Sequence, residues 1–311
     1  MRPVVSPGGQ AVRPPRPAGG SASGGGHTST RSRSGAGRSS PGVTVRRLTR
    51  GAEDGFRSSL VPGLRSGADA QRLATELAFA ATRLARLADD PPGLYAEVAD
   101  PATDVEERSW LAFLIAYLGP LDGESPFAGI EQARTTWASG QPPTLDGVAT
   151  GPRTAHDPAR GLRTIDAYRA WAGRAGSQAA AYTGDAVWMP ERRFARAFER
   201  LALPGLDRGA RFDLLASLGQ TGVYQLNAGA LGLGGNDGVT LAAKRVLGIG
   251  DPLLLERRAA ELAQACDLPL AALDVGLFNW ERGERAALGL SPGDEPDPEL
   301  LASAERALGL R

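Results

Sequence analysis

FDLLASLGQTGVYQLNAGALGLGGNDGVTLAAKRVLGIGD, residues Phe212 to Asp251, is the stretch whose reading decides the fold. An amphipathic run ends in Leu218-Gly219-Gln220-Thr221-Gly222, and a second run begins at once. Asp237 then opens a third run that carries Lys244, the only lysine of the chain. Glycine turns without a Cβ penalty and lets a ligand approach the backbone closely. The first amides of a following helix are unpaired and sit at the positive end of its dipole, where a phosphate binds without base contacts. On that reading Leu218, Gly219, Gln220, Thr221 and Gly222 form a DNA-phosphate grip, followed by a lone acid. The alternative is an ordinary helix corner in which glycine serves only as a C-cap.

Helical periodicity extends outward from this stretch in both directions. Leu73, Leu77, Leu84 and Leu87 recur at helical spacing and stop at Asp89-Asp90-Pro91-Pro92. Thr103-x-x-Glu106 reads as a capping box for a buried helix over Asp104–Leu118. Ser125-Pro126 starts a helix carrying Phe127, Ile130 and Trp137. Residues 139–163 hold four Pro and four Gly and read as a long loop, a feature often functional in a compact domain. Further helices are expected over 164–182, 190–202, 207–218, 223–229, 238–247, 251–266, 270–282 and 298–309. Asp251-Pro252 and Asp297-Pro298 each supply a cap and a first-turn proline. No run has strand period, so the expected class is all-α.

Charge divides the chain. Residues 1–66 carry 11 arginines against Glu53 and Asp54, whereas the remainder holds 24 basic and 33 acidic groups. Rich in Gly, Ser, Pro and Arg, residues 1–66 bury too little to offset their ordering entropy and read as a disordered basic tail. A domain over 67–311 follows, and it needs a local basic patch to meet DNA. One cysteine, Cys266, excludes a disulfide framework and any Cys-based zinc or iron–sulfur centre. No apolar run reaches transmembrane length and no signal core opens the chain, which points to a cytoplasmic protein. With 34 arginines to one lysine, arginine alone is a weak signal.

The hairpin, the short second run, Asp237 and the close Lys244-Arg245-Val246-Leu247-Gly248 resemble the helix-hairpin-helix DNA glycosylase superfamily (HhH-GPD). The resemblance covers about Asp104 to Arg282. Trp110–Leu121 is similar to the family's first core helix, and Leu253–Ala265 with Leu268–Trp280 to its last two. It implies a two-lobed fold, a target base flipped into the cleft between the lobes, and Asp237 as the catalytic acid. The hairpin is Gly-x-x-Gly where the family usually has Gly-x-Gly, and Tyr224 stands where lyase members place a lysine. Gly119-Pro120-Leu121 replaces the family's glutamine in the first-helix loop, and the four-cysteine cluster of some members is absent.

Within that superfamily, AAKRVLGIGD, LDVGLFNW and GSQ…GD..W.PERRF are most similar to the α-glutamyl/putrescinyl thymine pyrophosphorylases. That resemblance implies displacement of pyrophosphate from an activated thymine methyl group by an amine or amino-acid donor, with no cofactor. Excision of a base by a monofunctional glycosylase and a non-catalytic DNA-binding module are the competing readings. Lys244 and Arg245 are candidates for DNA phosphates. Arg192 and Arg196, with Arg200, fall at four-residue spacing and are candidates for a pyrophosphate clamp. Set against that is a solvated face paired with Glu199 and other acids. His156 in the long loop is a candidate acid/base group. Tyr224, Asn279 and Trp280 are candidates for the base pocket, with core packing as the alternative for the last two. Gln178, Asp185 and Trp188 enter through the resemblance alone.

Overall fold

The computed structural model of the protein describes residues 51–291 and 294–310. Among them every regular element is helical. α1 (Gly67–Asp89) starts at Ser66, whose hydroxyl accepts the Asp69 amide, and buries Leu73, Leu77, Leu84 and Leu87. α2 (Leu94–Ala99), α3 (Val105–Leu118) and α4 (Ala128–Ala133) follow. Then come α5 (Arg163–Ala175), α6 (Gln178–Thr183), α7 (Pro190–Arg200) and α8 (Arg208–Gln220). α9 (Gly238–Leu247), α10 (Pro252–Ala265), α11 (Ala272–Arg282) and α12 (Pro298–Leu308) complete the order. α1 packs on α11, α12 and α8; α3 packs on α8, α2 and α6; α9 packs on α11 and α10. No helix of the described residues is long and apolar enough to cross a membrane.

Several expected boundaries move, each for a local reason. Asp104 caps α3 by accepting the Glu106 and Glu107 amides, so the expected box at Thr103 does not form. Glu106 reaches instead to the Gln178 and Ala179 amides, each at 2.8 Å, and caps α6. Gly176, left-handed at φ +91°, and Ser177, the cap of α6, split the single helix expected over 164–182. Trp137 lies beyond α4, its backbone amide held by the Glu107 carboxylate at 2.7 Å.

The largest difference lies in the opening stretch, because the helix expected over 223–229 is absent. α8 ends in a Schellman cap. Gly222 takes φ +71°, the Gly222 amide bonds the Gly219 carbonyl, and the Val223 and Tyr224 amides bond the Leu218 carbonyl. Gly219 is glycine because a Cβ there would collide with the Leu226 carbonyl oxygen as the chain turns back. The chain then runs irregularly to Asp237, with Leu226, Leu231 and Leu233 buried. Buried backbone needs partners. Here Glu256 accepts the Leu231 and Leu233 amides at 2.7 and 2.5 Å, while Arg208 donates to the Leu231 and Gly232 carbonyls at 2.5 and 3.3 Å.

The ordered body also begins earlier than the composition suggests. Residues 51–66, expected to belong to the tail, lie against α9 and α10: Val61 and Leu64 are buried, and the Gly63 amide bonds the Val246 carbonyl at 3.0 Å. Arg258 holds the Ser59 carbonyl. A Cβ on Gly63 would overlap the Arg245 carbonyl, so glycine permits this docking. The rest of the tail, residues 1–50, lies outside the described residues.

Candidate active site

Asp237 sits at the head of α9. Its Oδ1 accepts the Val239 and Thr240 amides at 3.1 and 3.2 Å, and its Oδ2 accepts the Thr240 hydroxyl at 2.6 Å. Arg208 Nη1 stands 3.8 Å away. The carboxylate remains 30% exposed and lines a cleft of about 140 Å³. Arg153, Thr154, Asp207, Gly209 and Phe278 form other walls of that cleft. The residues come from four places: the long loop, the start of α8, the start of α9 and, for Phe278, α11. Asp207 caps α8 as Asp237 caps α9, accepting the Ala210 amide at 2.8 Å. Two helix N-termini thus open onto one recess.

Behind the cleft lies a buried ionic cluster. Asp274, fully buried on α11, bridges Arg153 Nη2 at 2.5 Å and Arg208 Nη1 at 2.6 Å. Burial alone would raise the Asp274 carboxyl, but the two guanidinium groups overcome it and hold the acid below its ordinary range. Burial likewise works against a charged Arg153, and Asp274 with Asp213 more than restores it. A second pair lies deeper: Arg83, 1% exposed, meets Asp213 at 3.3 Å and donates to the Tyr95 hydroxyl and the Leu288 carbonyl. Arg208 thereby joins Asp274, Asp237 and the 231–232 backbone, and so positions the Asp237 loop.

His156 occupies an adjoining recess of about 460 Å³ that shares Thr154 and Asp207 with the cleft. Its Nδ1 lies 3.0 Å from the Tyr117 hydroxyl. Partial burial pulls its pKa below the ordinary value, against the opposing pull of Asp157. Hydrogen bonds pin the loop that carries it to the end of α3: the Gly151 amide to the Leu118 carbonyl, and the Ala155 and His156 amides to that of Tyr117. The long loop therefore supplies Arg153, Thr154 and His156 to the two recesses.

The other expected residues lie elsewhere. Leu218, Gly219, Gln220, Thr221 and Gly222 form the C-cap, and the Gly222, Val223 and Tyr224 amides that a phosphate would need are spent on carbonyls. The Tyr224 hydroxyl bonds Ser109 Oγ at 2.6 Å and its ring stacks on Tyr182, with burial pushing the phenol up to about 12. Gln178 is fully buried, donating to Glu106 and accepting the Tyr168 hydroxyl. Asn279 joins Glu76 to the Ala286 amide, and the Trp280 indole donates to the Asp69 carbonyl. These four side chains serve the interior and do not open onto the Asp237 cleft.

Asp185 accepts the Val187 amide, and Arg192 lies over the Trp188 ring at 5.0 Å. Arg196 pairs with Glu199 in solvent, so the expected arginine clamp is not assembled. Lys244 Nζ reaches the Gly235 carbonyl at 3.5 Å, and Arg245 pairs with Glu281. Sequence reasoning missed Arg83, Arg153, Arg208, Asp213 and Asp274. Asp213 in FDLLASL and Asp274 in LDVGLFNW carried a usable signal: an acid inside an apolar helical run needs a buried cation. Among the described residues no three His, Cys, Asp or Glu side chains group as a metal site. No protein-family model, no curated protein and no solved structure matches the chain.

Proposed function

We propose that the protein is a DNA-acting enzyme on a flipped base. In this reading it modifies thymine by displacing pyrophosphate from an activated methyl group with an amine. One observation carries the proposal: Asp237, fixed by α9 amides and Thr240, faces a recess backed by the buried Arg153–Asp274–Arg208 group. Added to it is the resemblance of Asp237, the Lys244–Gly248 close and the flanking runs to the two-lobed DNA glycosylase superfamily and its thymine pyrophosphorylase clade; the second run of that resemblance, 223–229, is not helical here. The hairpin lends no support, since its amides are occupied. That weakens a pure binding module and leaves the cleft as the place where function resides.

In the proposed step the bond between the thymine methylene carbon and the pyrophosphate oxygen breaks, its electron pair leaving with pyrophosphate. The amine lone pair forms the new carbon–nitrogen bond, and the surplus proton on nitrogen goes to solvent. Positive charge develops on the methylene carbon, and a preorganised carboxylate stabilises such charge without reorganising. Asp237 has that preorganisation, because three protein donors set its orientation before substrate arrives.

The test uses purified protein, a duplex bearing 5-(pyrophosphoryloxymethyl)uracil, and putrescine or an amino acid. Asp237→Asn should lower turnover by about 10²–10³, the usual loss when one preorganised electrostatic group is removed. Its melting temperature should stay near wild type, because Asn caps a helix about as well as Asp. Unchanged turnover removes Asp237 from the chemistry. Abasic sites in place of an amine adduct would assign the protein to excision.

A further inference from the structure

Asp274 and Phe278 lie four residues apart on α11 and so share one face of the helix. Asn279 and Trp280 turn instead toward α1, where they meet Glu76 and the Asp69 carbonyl. Gly276 belongs to that same α1 contact, since a Cβ there would meet Leu77. The Asp274–Phe278 face meets the long loop through Arg153. Arg153 Nη2 is held by Asp274 at 2.5 Å and by the Gly209 carbonyl at 3.3 Å, and its guanidinium lies over the Phe278 ring at 4.7 Å from the centroid. A guanidinium on an aromatic face is attractive, and this one is fixed by a buried carboxylate, so it holds the ring in place.

The ring is unfinished packing. Phe278 is only partly buried, and among the described residues it is the one aromatic side chain that lines the Asp237 cleft. Other partly buried rings lean on a neighbour: Trp137 on Trp110, Phe198 on Phe212 and Tyr224 on Tyr182. No second ring packs on Phe278 among the described residues, so Arg153 covers part of it and the rest borders the cleft. Asp207 and Asp237 border the same cleft, and their carboxylate oxygens are acceptors for the N–H that a neutral pyrimidine carries on its pairing edge. An aromatic face beside a few polar groups is the make-up of a site for a flat ligand.

We propose that Phe278 is the platform on which the flipped base stacks beside Asp237. This deepens the proposed function and rests on it for the source of the base. Arg153 and Asp274 hold the ring and do not touch the base. The stacking role expected of Trp280 thus moves two residues back, to a side chain that in the sequence reads as one more apolar helix position.

The test compares two duplexes bound to the full chain, one with a mismatched thymine and one with a tetrahydrofuran abasic analogue at the same position. Phe278→Leu should weaken binding to the thymine duplex about tenfold, as loss of one base–aromatic stack does, and leave the abasic duplex unaffected. Phe278→Tyr should keep the wild-type affinity for both. In the wild-type chain with isotope-labelled phenylalanine, the Phe278 ring resonance should move further with the thymine duplex than with the abasic one. That readout does not depend on how the leucine variant folds. Equal losses on both duplexes at an unchanged melting temperature, no loss on either, or a Phe278 resonance indifferent to the base would overturn the platform and leave the proposed reaction untouched. Absence of DNA binding by the wild type would overturn the DNA reading and the platform with it. A base-dependent loss without thymine modification would leave the platform standing and remove only the reaction.

Discussion

Replacing Asp274 with Asn is the sharpest perturbation of the fold that the structure offers. The carboxylate is fully buried and holds Arg153 and Arg208 at 2.5 and 2.6 Å, both guanidinium groups also being nearly excluded from solvent. The amide can accept from one arginine but turns an N–H toward the other, leaving a buried cation without its anion. Removing one partner of a buried pair costs about 3–5 kcal/mol, mostly the penalty of the charge left behind. A domain of this size loses roughly 2–4 °C per kcal/mol, so the melting temperature should fall on the order of 10 °C by calorimetry. Because Arg153 is paired through Asp274, Arg153→Met combined with Asp274→Asn should cost less than the two single losses added together. A melting temperature within about 2 °C of wild type, or full additivity of the two losses, would refute this account of the cluster. The acid limit has the same origin. The folded Asp274 carboxyl titrates below its ordinary value near 3.8, so the unfolded chain takes up the proton first. Its contribution to stability is present above that value and is lost as pH falls through the folded pKa.

Three further outcomes follow from particular contacts. The His156 ring should titrate below 6.5 by proton NMR, because burial disfavours its charged form; a midpoint at or above 6.5 would contradict the partly buried position. The same shift makes the protein lose stability as pH drops from the ordinary histidine value toward the folded one. Gly63→Ala should push residues 51–66 off α9 and speed tryptic cleavage at the exposed Arg57 and Arg65, and an unchanged digestion pattern would count against the docked segment. Gly222→Ala should destabilise by about 1 kcal/mol, since an L residue must adopt φ +71° there, and a neutral effect in urea unfolding would dismiss the Schellman cap.

Local signals made most of the helices legible. Asp251-Pro252 and Asp297-Pro298 start α10 and α12 because cap and proline act within one turn. Asp237 was legible as the head of α9 because a capping carboxylate acts within one turn, here without a proline. The stretch between α8 and α9 misleads because Leu226, Leu231 and Leu233 look like a short helical face. Their burial instead depends on Arg208 and Glu256 satisfying an irregular backbone from outside the segment. Asn279 and Trp280 look like a pocket pair, yet they face Glu76 and Asp69 on α1, about 200 residues earlier in the chain. The buried arginines were hidden twice, by a composition in which arginine is common and by partners far away in the chain, such as Asp274, 121 residues after Arg153.

The central claim is that Asp237 serves chemistry on a DNA base. Its most direct test is nucleoside mass spectrometry of DNA from cells carrying the wild-type protein, the Asp237→Asn protein, or neither. An amine-substituted thymidine is expected in the first alone. Identical nucleoside profiles in all three would contradict it.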